Sequence, residues 1–131
     1  MAGERILVVE DNEMNMKLFR DVLIATGYRA IEATTGEEAV GLAVEHTPDL
    51  VLMDIQLPDA DGVDVLRRLR TDDRTSGIPV LAVTAQAMLG DHERFLAAGF
   101  DGYVSKPLNV GELIGTVRQH CDALIVAPDD P

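Results

Sequence analysis

The sequence predicts an α/β protein in which five parallel strands alternate with five helices, a doubly wound sandwich with helices on both faces of the sheet. Short apolar runs alternate with amphipathic segments along nearly the whole chain. At least three of these runs are continuous and rich in β-branched residues, as strands buried on both faces of a parallel sheet are. The segments between the runs place apolar residues at helical spacing, which completes five β-then-α units.

The five predicted strands are short and are separated by segments long enough for a helix. They comprise residues 6–9, 29–33, 50–53, 80–83 and 102–105. Pro79 stands at the start of the fourth strand, a position that does not require a backbone N–H in the ladder. The fifth helix is predicted from residue 110 to about residue 123, where Leu113, Ile114 and Val117 share one side.

Glycine marks the ends of two predicted helices. Gly27 is followed by Tyr28, and Gly99 is followed by Phe100. A glycine followed by a large apolar residue is typical of a left-handed helix C-cap with a hydrophobic contact behind it. These signals favour short connections between each helix and the strand that follows it.

Length and charge limit the classes of function. The chain has 131 residues and a mass of 14.2 kDa, which is typical of one domain with its own core. Apolar residues make up 47% and charged residues 26%, an ordinary globular composition. The net charge of −12 disfavours binding to nucleic acid or to anionic lipid as a primary activity.

Cellular location and domain limits also follow from simple patterns. Cys121 is the one cysteine in the sequence, so it cannot form an internal disulfide. No apolar run approaches the roughly 20 residues of a membrane span, and no signal-peptide core follows the first residues. We therefore expect a cytoplasmic protein with one domain over residues 1–123 and a flexible tail over residues 124–131.

Polar side chains follow the apolar runs at the predicted carboxyl edge of the sheet. Glu10 and Asp11 follow the first strand, Asp54 the third, Thr84 the fourth and Lys106 the fifth. Open α/β sheets bind their ligands beyond this edge. The pattern therefore predicts that three carboxylates, a hydroxyl and an ammonium meet at one site.

Four segments resemble the receiver domains of bacterial two-component response regulators. They are ILVVEDN at 6–12, LVLMDIQLPDADG at 50–62, VTA at 83–85 and YVSKP at 103–107. The resemblance spans residues 5 to about 123, and four motifs in this order are very specific. Residues 11–17 most resemble single-domain members that regulate cell division. The resemblance implies a flavodoxin-like fold with strand order 2-1-3-4-5.

The acidic site is expected to bind Mg²⁺. Three carboxylates and the Lys106 ammonium leave two negative charges, which one Mg²⁺ ion would neutralise with the oxygen ligands that it prefers. The resemblance implies direct ligation by Asp11, Asp54 and the backbone carbonyl of Gln56, with Glu10 reaching the ion through water. Glu10 stands where many receivers have Asp, a longer acid that still suits this outer role.

The resemblance also implies the reaction. Asp54 would be the nucleophile that accepts a phosphoryl group from a phosphohistidine of a sensor kinase or a histidine phosphotransferase. Positioning and charge neutralisation by Mg²⁺ and Lys106 would suffice for this transfer. The chain would catalyse only its own phosphorylation and dephosphorylation, so we classify it as a signalling protein and not as an enzyme.

A conformational switch is implied as well. Thr84 would donate its hydroxyl to the phosphoryl group, and Tyr103 would move into the space vacated. The face formed by residues 88–98, Tyr103 and residues 110–119 would then bind a downstream protein. The resemblance further implies a cis Lys106–Pro107 bond, which only proline makes inexpensive.

Three alternatives stay open at this point. The chain could act as a shuttle that passes phosphate to a histidine phosphotransferase. It could be an FMN-binding protein of the flavodoxin type, since that fold has the same topology. It could also be a metal-dependent phosphatase with an aspartyl nucleophile, which would need an additional general acid or base. In each signalling case we expect a monomer or a weak dimer.

Overall fold

Strands and helices alternate strictly in the computed structural model, which describes residues 3–85, 91–106 and 109–126. The strands are β1 (Arg5–Val9), β2 (Arg29–Ala33), β3 (Leu50–Asp54), β4 (Val80–Thr84) and β5 (Gly102–Ser105). The helices are α1 (Glu13–Ala25), α2 (Gly36–His46), α3 (Gly62–Thr71), α4 (Asp91–Ala98) and α5 (Val110–Val126). The predicted series of five β-then-α units is confirmed.

The strands form one parallel sheet in the order β2-β1-β3-β4-β5. This is the predicted doubly wound order, with β1 and β3 adjacent at the point where the chain reverses its direction of winding. Ile6 pairs with Leu50 and Val51 pairs with Val80. The carboxyl ends of β1 and β3 therefore lie side by side.

Two apolar clusters cover the two faces of the sheet, because successive side chains of a strand point to opposite faces. Ile6 and Val8 belong to the cluster that β1 shares with α1 and α5. Leu7 and Val9 belong to the cluster on the face of α2, α3 and α4. Every residue of β3 and β4 is buried, as expected for the central strands of a parallel sheet.

The predicted glycine caps are present at the ends of α1 and α4. Gly27 has a φ of 96° and Gly99 a φ of 113°, conformations that favour glycine. The Tyr28 N–H donates to the Leu23 carbonyl at 2.9 Å, as in a Schellman motif, and Phe100 repeats the arrangement at the end of α4. Tyr28 and Phe100 are both buried, which fixes the entry of the chain into β2 and β5.

Four element boundaries differ from the predicted ones. Strand β1 begins at Arg5, one residue before its predicted start. Asp54 and Thr84 are the last residues of β3 and β4 and do not lie beyond them, because Asp54 still pairs with Val83 and Thr84 with Ser105. Helix α5 continues to Val126, three residues past the expected end of the domain. The division into a domain and a tail stays a prediction, since residues 127–131 lie outside the described residues.

Within the described ranges, no helix combines the length and the apolar character that crossing a membrane requires.

Candidate functional site

Three carboxylates meet at the carboxyl edge of the sheet. Glu10 and Asp11 follow β1, and Asp54 ends the adjacent strand β3. One carboxylate oxygen from each of them lies within 4.8 Å of the other two. Glu10 is 1% exposed and Asp54 is 4% exposed, whereas Asp11 lies open to solvent. The acidic cluster that the sequence predicted is therefore formed.

The ammonium of Lys106 lies against two of these acids. Lys106 follows β5, and its side chain reaches past the end of β4 to Asp54 at the end of β3 and to Glu10 just after β1. Its Nζ is 3.1 Å from Oδ2 of Asp54 and 3.2 Å from Oε1 of Glu10. The three carboxylates with this one ammonium leave the cluster with two negative charges.

Burial and charge shift two titrations at the site. Burial, followed by the charge of Asp54, raises the pKa of Glu10 above its ordinary value, although the Asn12 N–H and Lys106 act against this. Burial alone would lower the pKa of Lys106, but the hydrogen bond and charge of Asp54, together with Glu10, outweigh it and raise that pKa. The structure thus favours a charged lysine and disfavours the charge on Glu10.

The loop after β3 is folded tightly against the end of that strand. The Gln56 N–H donates to Oδ1 of Asp54 at 2.9 Å. The Gly62 N–H donates to the Ile55 carbonyl at 2.8 Å, which closes the loop where α3 begins. Among the described residues, no backbone N–H donates to the carbonyl of Gln56. That oxygen is therefore not occupied by a backbone donor of the described residues.

The structure explains why the motif that contains Asp54 ends in a glycine, Gly62. A Cβ at this position would lie 2.6 Å from the backbone oxygen of Asp54 and 2.9 Å from the Cα of Ile55. Both of these atoms belong to the backbone, so neither can turn aside as the end of a flexible side chain could. Helix α3 can therefore begin directly beside the acidic site only if residue 62 has no side chain.

Thr84 and Tyr103 lie on the same face of the sheet. Thr84 pairs with Ser105 and Ala82 pairs with Tyr103, so the period of two places all four residues toward α2, α3 and α4. Thr84 is buried and Tyr103 is half-buried. A cavity of about 30 Å³ lies between Thr84 at the end of β4 and Asp54 at the end of β3. Its lining consists of Asp54, Ile55, Gln56, Thr84, Ala85 and Lys106.

Two expectations fall partly beyond the described residues. Pro107 lies outside them, so the predicted cis Lys106–Pro107 bond stays a prediction. Of the expected partner face, residues 91–98, Tyr103 and residues 110–119 are described and residues 88–90 are not.

The donor set fits a hard divalent cation. All candidate ligands are oxygens, the class that Mg²⁺ prefers. The buried Oε1 of Glu10 receives no hydrogen bond within the described part of the chain, although Lys106 lies 3.2 Å away as an ion pair. A buried carboxylate oxygen without a donor is costly unless a cation faces it.

One residue near this site was missed by the sequence reasoning. Asp59, in the loop after β3, accepts hydrogen bonds from the backbone N–H groups of Gly36 and Glu37 at the start of α2. Its only sequence signal is an acid in a proline-containing turn, which is common in loops. The contact with α2 could not be foreseen from that signal.

The model of the response regulator receiver domain family matches residues 6–118, which is most of the chain and includes every residue of the acidic site. The chain belongs to the response regulator receiver domain family. This receiver domain has the strand order and the acidic edge that the sequence resemblance implied, so that resemblance is confirmed.

Relatives of this receiver domain agree with the assignment. The polar-differentiation response regulator DivK of Brucella anthropi is 51% identical over 115 residues, which cover 88% of this chain and 94% of that protein. DivK of Brucella ovis is 50% identical over the same shares of both chains. The chain is thus a DivK-like response regulator, and it aligns with almost the full length of these relatives.

Solved structures of receiver domains superpose closely. The receiver domain of the sensor histidine kinase PA1611 from Pseudomonas aeruginosa has a TM-score of 0.84 and 36% identity, covering 92% of this chain and 99% of that one. That crystal structure has a magnesium ion coordinated in its active-site cleft. A CheY-like receiver domain from Methanospirillum hungatei has a TM-score of 0.81 and 30% identity, over 92% of this chain and 95% of that one. These matches do not favour the FMN-binding alternative.

Proposed function

We propose that this receiver domain accepts a phosphoryl group on Asp54 from a phosphohistidine in a Mg²⁺-dependent reaction and signals through proteins that bind the phosphorylated form. The observation that carries the proposal is the position of Asp54. Its carboxylate ends β3 in a buried acidic cluster, 3.1 Å from the Lys106 ammonium. Families of this type use such a carboxylate as a nucleophile.

In the proposed transfer, a carboxylate oxygen of Asp54 attacks phosphorus and forms a P–O bond. The P–N bond of the phosphohistidine breaks, and the imidazole nitrogen keeps the electron pair. Lys106 compensates the negative charge on the transferred oxygens. The Gln56 N–H holds Oδ1 of Asp54 at 2.9 Å, so the nucleophile is oriented before the donor arrives.

The acidic cluster provides the proposed metal site. Asp11, Asp54 and the backbone carbonyl of Gln56 would hold the Mg²⁺ ion, and Glu10 would act through water. When bound, Mg²⁺ neutralises the acids and the phosphoryl oxygens. The carboxylates alone would repel a phosphate donor, because they exceed the single ammonium by two charges.

The remaining parts of the proposal concern partners and location. The donors are a sensor kinase or a histidine phosphotransferase, and the output surface comprises residues 88–98, Tyr103 and residues 110–119. The chain catalyses its own phosphorylation and dephosphorylation only, as a monomer or weak dimer in the cytoplasm. A shuttle role would use the same Asp54, but the phosphoryl group would then pass from Asp54 to a histidine phosphotransferase.

The test compares Asp54→Asn with Asp64→Asn under acetyl phosphate and Mg²⁺. Asp64 lies in the first turn of α3 with a side chain 66% exposed, so its variant controls for the loss of one carboxylate near the site. We expect covalent phosphate, measured by intact mass, in the wild type and in Asp64→Asn but not in Asp54→Asn. EDTA should prevent labelling while circular dichroism stays unchanged.

Two results would contradict the proposal. Acid-stable, hydroxylamine-resistant phosphate on the wild type would place the modification on a hydroxyl. Continued labelling of Asp54→Asn at the wild-type rate would place it on another carboxylate. Turnover of a phosphomonoester by the wild type would instead support the metal-dependent phosphatase.

A further inference from the structure

We propose that Asp59 is a positioning residue for the metal site: by binding the first turn of α2, it fixes the loop that carries Gln56 and thereby raises the affinity of the acidic cluster for Mg²⁺. The inference rests on the proposed function, since it assumes that the Gln56 carbonyl is a ligand. Asp59 follows Gln56 by three residues in this loop, and its carboxylate bonds to α2.

The carboxylate of Asp59 binds two backbone N–H groups. Its Oδ1 accepts from Gly36 at 2.7 Å and its Oδ2 accepts from Glu37 at 3.1 Å. These N–H groups belong to the first turn of α2 and have no partner within the helix. A carboxylate at this end also interacts favourably with the helix dipole, and these bonds lower the pKa of Asp59 below its ordinary value.

The loop leading from Gln56 to Asp61 is otherwise a narrow turn. Gln56 and Asp61 lie opposite each other in an isolated antiparallel bridge, and the Leu57 N–H donates to the Ala60 carbonyl at 3.2 Å. Asp59 lies in the turn enclosed by these contacts. Its two bonds to α2 therefore connect the turn to a different element of the fold.

Helix α2 is a firm support for this connection. A Cβ at Gly36 would lie 2.7 Å from Cγ2 of Val65 and 3.2 Å from the Cβ of Ala60, so the helix starts directly against α3 and the loop. Ala39 and Ala43 of the same helix are fully buried against the sheet. A loop bound to this helix cannot shift without breaking a packed contact.

The position of the Gln56 carbonyl matters because Mg²⁺ tolerates little deviation from octahedral geometry. The Gln56 N–H is already fixed by Asp54, and Asp59 connects the same loop to α2. Loss of groups that orient ligands commonly weakens metal binding by about 10–100-fold. Asp59 is exposed and acts through the loop, so we expect a smaller effect, about threefold to tenfold.

The experiment compares Asp59→Ala with Thr35→Ala. Thr35 is the N-cap of the same helix, and its hydroxyl accepts from the Glu38 N–H at 3.1 Å, a bond within the first turn of α2. Isothermal titration with Mg²⁺ should give a dissociation constant raised about threefold to tenfold in Asp59→Ala. Thr35→Ala should stay within about twofold of the wild type, and Asp59→Asn, which keeps one acceptor, should lie between.

Amide hydrogen exchange without metal gives the second readout. The Leu57 and Gly62 amides, which close the loop, should exchange faster in Asp59→Ala but not in Thr35→Ala. Equal Mg²⁺ affinity in Asp59→Ala and the wild type would overturn the inference alone. An equal loss of Mg²⁺ affinity in Thr35→Ala would also overturn the inference, because it would assign the effect to the stability of α2. A wild type that binds no Mg²⁺ would overturn the proposed function and this inference together.

Discussion

Nζ of Lys106 lies 3.1 Å from Oδ2 of Asp54, although the two residues are 52 positions apart in the sequence. The same ammonium lies 3.2 Å from Oε1 of Glu10. One positive charge is therefore shared by two buried carboxylates, while Asp11 adds a third negative charge at the rim. An excess of negative charge of this kind should favour the binding of a cation.

Replacing Asp11 should weaken Mg²⁺ binding more than replacing Glu10. We expect Asp11→Asn to raise the Mg²⁺ dissociation constant at least about tenfold, because it removes a proposed direct ligand. Glu10→Gln should cost less, because Glu10 is proposed to act through water. Isothermal titration measures both, with Glu13→Gln as a control for an exposed acid near the same site. Equal losses in the two variants would show that the direct and the water-mediated ligands are assigned wrongly.

Removing the charge of Glu10 should stabilise the metal-free protein, and the gain should depend on pH. Burial and Asp54 raise the pKa of Glu10, so the folded state disfavours its charge. Below the ordinary pKa of 4.5, wild type and Glu10→Gln should unfold with similar free energies. As the pH rises through the raised pKa, the wild type should lose stability relative to the variant.

Urea unfolding in EDTA across this pH range measures the difference. The titrations of other acids occur in both proteins and largely cancel. Adding saturating Mg²⁺ should favour the wild type, since a cation that binds only the folded state stabilises it. A Glu10→Gln variant less stable than the wild type at neutral pH without Mg²⁺ would contradict the raised pKa.

The sheet and most of the acidic site could be predicted from local sequence. Residues such as Leu50 and Val80 begin buried apolar runs whose short length and β-branched residues favour a strand covered on both faces. Because parallel strands end at one edge, the polar residues that follow them must meet there. The exact strand ends could not be predicted, since Asp54 continues the ladder only because Val83 lies opposite.

Contacts between distant exposed residues could not be predicted. Asp59 and Arg70 are residue types found on any surface, and neither lies in a pattern that indicates its partner. Arg70 on α3 donates to the carbonyls of Ile78 at 2.6 Å and Gly99 at 3.2 Å, and to Oδ2 of Asp101 at 3.0 Å. These partners are set by tertiary packing and have no local signature.

Arg70 should contribute far more to stability than its neighbour Arg67. Arg70 also donates to the Ser76 carbonyl, and Asp101, its acidic partner, accepts from the Val80 N–H at 2.8 Å. Arg70→Met removes the donor that three backbone carbonyls and the Asp101 carboxylate share. The substitution should cost about 1–3 kcal/mol, a fall in Tm of roughly 4–12 °C.

The control is Arg67→Met. The Arg67 side chain is 72% exposed and pairs only with exposed Asp64 among the described residues, so its loss should cost at most about 0.5 kcal/mol. Thermal unfolding followed by circular dichroism compares the two. Similar Tm values for both variants would show that the Arg70 contacts contribute little in solution.

Signal transmission is expected to run from Thr84 to Tyr103. Thr84 lines the same small cavity as Asp54 and Lys106, so it is close enough to donate to a phosphoryl group on Asp54. Tyr103 lies on the same face of the sheet and packs beside the cluster that contains Phe95 of α4. Movement of Thr84 toward the phosphoryl group would change the packing available to Tyr103.

Thr84→Ala should still accept phosphate but lose most of the switch. Beryllofluoride with Mg²⁺ stands in for the phosphoryl group, and the sequence holds two tyrosines, so buried Tyr28 on the opposite face serves as an internal control. In the wild type, NMR should show a shift of the Tyr103 ring signal and little change at Tyr28. Thr84→Ala should lose the Tyr103 shift and Thr84→Ser should keep it, because only the hydroxyl is needed.

The gain in affinity for a partner of the phosphorylated form, about 5- to 150-fold for a coupling of this kind, should also be lost in Thr84→Ala. A Tyr103 signal that stays fixed in the wild type, or shifts fully in Thr84→Ala, would contradict this route.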